Sequence, residues 1–253
     1  MLMHPTLDKL NHLPFAGMAA ALREQLDDPN TYQSLSFEER LGLLLDREHI
    51  ERENRRLATR LRTAKFPIQA CVEDLDFQSG RKLDKNAVIA LMDCQWVAQH
   101  AGIIITGPTG VGKTYMACAL AQKACREGYK ALYMRIPRLF RELTIAKADG
   151  RFSKLLTSLS KIDVLILDDW GMAPFNKENR RDFLEIFEDR YDRRATIITS
   201  QFPSDSWHKL IGDATLADAI LDRVLHRAYQ LKIEGESMRK KHSVLTKKTP
   251  TDS

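Results

Sequence analysis

The stretch "GIIITGPTGVGKTYMACALAQKACREG", Gly102 to Gly128, decides the fold. An apolar run, "GIIIT" (102–106), passes directly into a glycine-rich turn and then into an amphipathic stretch of helical spacing. The turn satisfies G-x-x-x-x-G-K-[ST] from Gly107 through Pro108, Thr109, Gly110, Val111, Gly112 and Lys113 to Thr114, in the strand–loop–helix context that the pattern requires. The residue types follow from the chemistry. Gly107, Gly110 and Gly112 let the backbone approach phosphate oxygens, and the N-terminus of the following helix adds a favourable field. Lys113 is placed to reach β- and γ-phosphates, and the Thr114 hydroxyl to join a Mg²⁺ shell. The stretch implies a bound nucleoside triphosphate such as ATP.

Four more apolar runs follow the same rhythm: "ALYM" (131–134), "VLIL" (164–167), "ATIITS" (195–200) and "YQLKI" (229–233). Short Ile/Leu/Val runs separated by helical stretches predict a parallel five-stranded sheet covered on both faces, an α/β fold. The run at 164 ends in "DDWGMAPF". Asp168 is expected to hold Mg²⁺ through water, and Asp169 to orient or deprotonate the attacking water. A longer Glu is commoner at that second position, so a shorter Asp169 needs help from another group. Ser200 and Gln201, polar at the end of "ATIITSQ", lie where an open α/β sheet faces its ligand crevice and are candidates for that help.

The N-terminal quarter reads as helical. Ser36 and Glu39 form a capping-box pattern. Beyond it the apolar stripe changes phase: Leu41, Leu44 and Leu45 share one face, while Ile50, Leu57 and Leu61 lie roughly opposite. This predicts either a break near Asp46–His49 or packing against two surfaces. Phe66-Pro67 ends the helix, which predicts a small helical domain over 1–66 for DNA or partner binding and oligomerisation, and a nucleotide-binding domain over 67–253.

Bulk properties exclude several classes. No apolar run approaches the roughly 18 residues needed to span a bilayer, and the N-terminus lacks a secretory pattern. Four cysteines, Cys71, Cys94, Cys118 and Cys125, show no metal-ligand spacing, which points to reduced thiols in a cytoplasmic protein. The net charge of +5 is uneven: residues 47–65 carry seven Arg/Lys against three Glu, and 227–248 carry seven against two. Such asymmetry suggests a polyanion partner. Arg52, Arg56 and Arg60, four apart and flanked by Arg55 and Arg62, predict a basic helix face suited to DNA phosphates without base reading. Trp96, Trp170 and Trp207 are isolated and read as packing residues.

Together, "GPTGVGKT", "VLILDDWG", "ITSQ" and "AILDRVLHRAYQLKIEGESMRKK" resemble the AAA+ ATPases of the helicase-loader branch, related to DnaC-type loaders, and most closely the IstB-type transposition helper ATPases. The likeness extends to "CVEDLDFQSGRKLDKNAV" and to the N-terminal helical stretch, and so covers essentially the whole chain. It implies an AAA+ P-loop fold without a separate C-terminal lid, since only 52 residues follow "ITSQ". It further implies that Arg223 is an arginine finger acting on a neighbouring subunit, with Arg227 as fallback, and that Arg239 is a nucleotide-contacting sensor. A finger in trans requires a homo-oligomer with nucleotide sites between subunits.

Two functions fit. In the first, ATP-driven oligomers assemble on duplex DNA and assist a transposase. In the second, the chain loads a replicative helicase and holds single-stranded DNA. A metabolic P-loop kinase lacks an evident acceptor site.

Overall fold

The computed structural model describes residues 5–77 and 83–238. The chain divides into two compact units, Met1–Thr59 and Arg60–Ser253. The division falls inside a long helix, a little before the boundary expected at Pro67.

The first unit holds helices α1 (Pro5–His12), α2 (Ala16–Asp27), α3 (Pro29–Tyr32) and most of α4 (Phe37–Ala64). The capping box forms: Ser36 N donates to Glu39 Oε2 at 2.7 Å, and Glu39 N donates to Ser36 Oγ at 3.3 Å. The helix runs 28 residues without the break considered at Asp46–His49. Leu44 and Glu48 carry its buried side, whereas Leu41, Leu45 and Ile50 stay exposed. Contact with α2 explains why a carboxylate is buried there. A Cβ on Gly17 would stand 2.6 Å from the Glu48 Cα, so only glycine allows the two backbones so close. At that crossing Glu48 Oε2 accepts from Gly17 N at 2.7 Å and from Met18 N at 3.2 Å, satisfying helix-start donors that would otherwise be orphaned. Lys65, at φ 57, ends α4 in the left-handed region just ahead of Phe66-Pro67.

The second unit continues through α5 (Lys85–Leu91) and α6 (Gln95–Ala98) to β1 (Gly102–Thr106), α7 (Lys113–Arg126), β2 (Ala131–Arg135), α8 (Ile136–Ala148) and α9 (Phe152–Ser160). There follow β3 (Val164–Trp170), α10 (Lys177–Arg190), β4 (Ala195–Ser200), α11 (Trp207–Ile211), α12 (Ala214–Leu225) and β5 (Ala228–Lys232). All five expected strands form, in the order β2-β3-β4-β1-β5, and every pairing is parallel. Helices on both faces bury the strands, which is why they read as continuous apolar runs. One face carries α7. The other packs Ile104, Leu165, Leu167 and Ile198 against α8–α12. All three tryptophans are buried, and Trp170 stacks on Trp207 at 4.6 Å between ring centroids. Among the described residues no helical lid follows β5, and no helix is long and apolar enough to cross a membrane.

Candidate nucleotide site

Strands β1, β3 and β4 end at the same edge of the sheet, and the loop after β1 opens α7 there. Among the described residues the backbone N–H groups of Thr109, Gly110, Val111 and Gly112 find no protein acceptor. Lys113, largely buried, donates through Nζ to the carbonyls of Gly107 and Pro108 at 2.8 Å each. Unspent donors, a buried ammonium and a helix N-terminus together make a phosphate cradle. Its outer side is backed by the chain beyond β5: Ile233 N donates to Thr106 O at 2.8 Å, and Met238 N to Gly110 O at 2.9 Å. A side chain at Gly110 (φ 86) would collide with Ser237, which accounts for the glycine.

The acidic strand is not regular where it matters. Leu167 pairs with Ile198 and Trp170 with Ser200, so Asp168 and Asp169 together oppose Thr199 alone. This is a β-bulge, and it turns both carboxylates to the same end of the sheet. Asp169 occupies the left-handed region at φ 67, where Asp and Asn are tolerated far better than longer side chains. The bulge therefore accounts for an Asp where a Glu is commoner.

Asp168 is buried and receives three hydroxyls. Thr114 Oγ1 lies 3.1 Å from each of its oxygens, Tyr133 Oη donates to Oδ2 at 2.6 Å, and Thr199 Oγ1 donates to Oδ1. The expected pair of Thr114 and Asp168 is thus assembled from α7 and β3. Burial and the neighbouring Asp168 push the Tyr133 phenol well above its usual range, so it stays a donor. Asp169 instead takes a cation: Arg135 donates to its Oδ2 through Nε and Nη2, each at 2.7 Å. Among the described residues no cluster of His, Cys, Asp or Glu could hold a metal by itself. A lone carboxylate and hydroxyl beside a phosphate cradle is the donor set that suits Mg²⁺ shared with a nucleotide.

The strand-end candidates separate. Gln201 Oε1 accepts from Thr109 Oγ1 at 2.7 Å, which places it against the cradle. Ser200 does not help there. Its side chain is fully buried, donating to Trp170 O and accepting from Phe202 N, both at 3.0 Å. Alternation along β4 sends Thr199 to the carboxylates and Ser200 to the core. That period, and the same spacing of Tyr133 and Arg135 on β2, is the signal by which Thr199, Tyr133 and Arg135 could have been found.

Arg223 and Arg227 lie at the opposite end of the sheet, around a cavity lined by Gly102 and Thr196 from the starts of β1 and β4. Arg223 Nη2 pairs with Glu188 at 3.0 Å, and Arg227 pairs with Asp192. Arg239 lies outside the described residues.

The arginine row on α4 is also divided. Arg52 belongs to the packing of the first unit: Nε donates to Glu48 at 2.6 Å, Nη2 to Pro14 O at 3.0 Å, and the guanidinium covers the Phe15 ring. Arg55 and Arg56 are exposed, the latter paired with Glu53 at 2.6 Å. Arg60 is half-buried and near enough to Cys125 to influence its thiol. The uninterrupted four-apart face is therefore reduced to Arg56, with Arg55 and Arg62 exposed beside it. Exposed cations not singled out in the sequence follow α8 and the start of α9: Arg138, Arg141, Lys147, Arg151 and Lys154. Three of them are ion-paired, Arg138 with Glu142 at 2.8 Å, Lys147 with Asp182 at 2.5 Å and Arg151 with Asp149.

A family model described as "IstB-like ATP binding protein" matches residues 8–246. The chain belongs to that family. The IstB-like chain is 50% identical over 240 residues to a Sinorhizobium fredii protein described as an insertion-sequence ATP-binding protein, y4pL, covering 95% of this chain and 98% of that one. It is 36% identical over 230 residues to the corresponding IS21 protein of Pseudomonas aeruginosa, covering 89% and 87% of the two chains. Among solved structures, the IstB-like chain resembles DnaI with a TM-score of 0.57 at 26% identity, over 65% of this chain and 91% of that one. It shares the fold of AMPPCP-bound DnaA from Aquifex aeolicus, with a TM-score of 0.57 at 18% identity, over 70% of this chain and 54% of that one. The IstB-like chain thus has the AAA+ fold of helicase loaders and initiators, and belongs with ATP-binding proteins of insertion sequences.

Proposed function

We propose that this chain is a Mg²⁺-dependent ATPase that assembles as a homo-oligomer on duplex DNA and assists the transposase of its insertion sequence. The observation that carries the reading is the meeting of Thr114 with buried Asp168 beside the cradle of Gly107–Thr114. Kinship with insertion-sequence proteins along nearly the whole chain supports the biological setting.

In this reading Thr114 and Asp168 hold Mg²⁺, which supplies charge neutralisation for phosphoryl transfer. Lys113 leaves the carbonyls of Gly107 and Pro108 for the β- and γ-phosphates. Asp169 serves as base toward water, with Gln201 beside the cradle. Arg135 donates twice to Asp169 Oδ2, so the oxygen that would meet the attacking water is already occupied. Turnover therefore requires Arg135 to let go. Arg135 immediately precedes α8, whose exposed Arg141, together with Arg138 once it leaves Glu142, would offer a polyanion a foothold next to it. Arg55 and Arg56 would add sequence-tolerant phosphate contacts on α4. Arg223, at the far end of its own sheet, would act on another copy's nucleotide, with Arg227 as its alternate.

The likeness to DnaI supports the second reading, a helicase loader working with single-stranded DNA. Steady-state ATP turnover without DNA, with single strands and with long duplex separates the two. Strong stimulation by duplex is the expected result. Stimulation by single strands alone selects the loader, and no turnover with either sinks the ATPase assignment.

A further inference from the structure

Asp168 is held by neutral groups from both sides. Among the described residues no Lys or Arg side chain bonds to it, whereas its neighbour Asp169 takes Arg135. The two donors that do not come from the phosphate loop sit on the strands flanking β3: Tyr133 on β2 and Thr199 on β4. Tyr133 Oη reaches Oδ2 at 2.6 Å, and Thr199 Oγ1 bonds to Oδ1 while its oxygen also accepts from Asp169 N at 3.2 Å. Thr199 is fully buried and Tyr133 half-buried. Hydroxyls bonded to both of its oxygens fix the carboxylate's rotation without placing a cation on it. A guanidinium partner would fix it equally well but would neutralise it.

We infer that Tyr133 and Thr199 form a hydroxyl clamp that positions Asp168 for a divalent cation, an inference that rests on the Mg²⁺–nucleotide reading of the site. Thr114 alone of the three hydroxyls belongs to the phosphate loop, and it can exchange Asp168 for the metal. Tyr133 and Thr199 stay on the carboxylate and keep it aimed at the cradle. Groups that orient a metal's own ligand usually change metal affinity by roughly tenfold or more when removed. The clamp touches neither the N–H groups of the loop nor Lys113, so it should leave metal-free nucleotide binding alone.

The test uses the full chain carrying Tyr133→Phe, Thr199→Val or Thr199→Ser. Affinity for Mn²⁺ in the presence of ADP is read by electron paramagnetic resonance, and affinity for a fluorescent ADP is read in excess chelator. Tyr133→Phe and Thr199→Val are expected to weaken Mn²⁺ binding by about tenfold each, with ADP affinity in chelator unchanged. Thr199→Ser, which keeps the hydroxyl, should restore wild-type metal affinity. Should Tyr133→Phe fail to fold, the Thr199 pair reads the same clamp from the other strand. Unchanged Mn²⁺ affinity in the Phe and Val variants would overturn the clamp, as would an equal loss of ADP affinity in chelator. Failure of the wild-type chain to bind ADP at all is a separate result, and it removes the nucleotide reading itself.

Discussion

At Asp169 backbone and chemistry constrain each other. Its φ of 67 in the β3 bulge favours a short polar side chain, so the shorter reach of Asp is imposed by the backbone. Asp169→Asn is expected to keep nucleotide affinity and lower ATP turnover by about 10² to 10⁴, the usual worth of a general base. Asp169→Glu should not gain activity from its longer arm, because the left-handed position resists it. Turnover by Asp169→Glu above that of the native chain would show that reach, and not the bulge, limits the site. Arg135 makes the opposite prediction. Arg135→Ala frees Asp169, so DNA-independent turnover should rise several-fold while stimulation by DNA shrinks. A fall in basal turnover would instead make Arg135 part of the hydrolytic machinery.

Helix α4 illustrates what one element can hide. Its sequence shows a row of arginines, but Arg52 is spent on Glu48, Pro14 and Phe15. The crossing with α2 depends on Gly17, where a methyl group would meet the Glu48 backbone. Gly17→Ala is therefore expected to destabilise the N-terminal helices by about 1–3 kcal/mol, the range for forcing extra bulk into a packed contact. Limited proteolysis should then cut within residues 5–59 before the nucleotide-binding unit is attacked. An unchanged cleavage pattern would mean that the helices separate at no cost. On β4 the two-residue period sorts Thr199 from Ser200, so one residue's shift divides a carboxylate partner from a core hydroxyl.

Across the molecule, Arg223 and the cradle stand at opposite ends of the same sheet. An arginine there has no path to its own nucleotide, which is what makes a second copy necessary if it takes part in hydrolysis. Specific ATP turnover should accordingly rise with protein concentration. Arg223→Ala should abolish that rise while leaving nucleotide affinity intact, and mixing it with Lys113→Ala chains should restore part of the activity. Arg227→Ala is the parallel test for the alternate finger. Concentration-independent turnover would leave Arg223 as the partner of Glu188 and nothing more.

The sequence by itself determined the strand runs, the phosphate loop, the capping box at Ser36 and the class of fold, because each depends on contacts a few residues long. Periodicity, glycines at tight turns and caps are local physics, and they survive without knowledge of neighbours. That Asp168 is held by hydroxyls while Asp169 takes an arginine was decided only by the tertiary structure. It arises from a register shift between β3 and β4, and from Tyr133 and Arg135 arriving from β2, tens of residues away. The fates of Ser200, Arg52 and Arg60 were settled the same way. Whether a polar side chain faces a ligand, the core or a neighbouring helix depends on which strand or helix lies beside it, and that is not written in its own segment of chain.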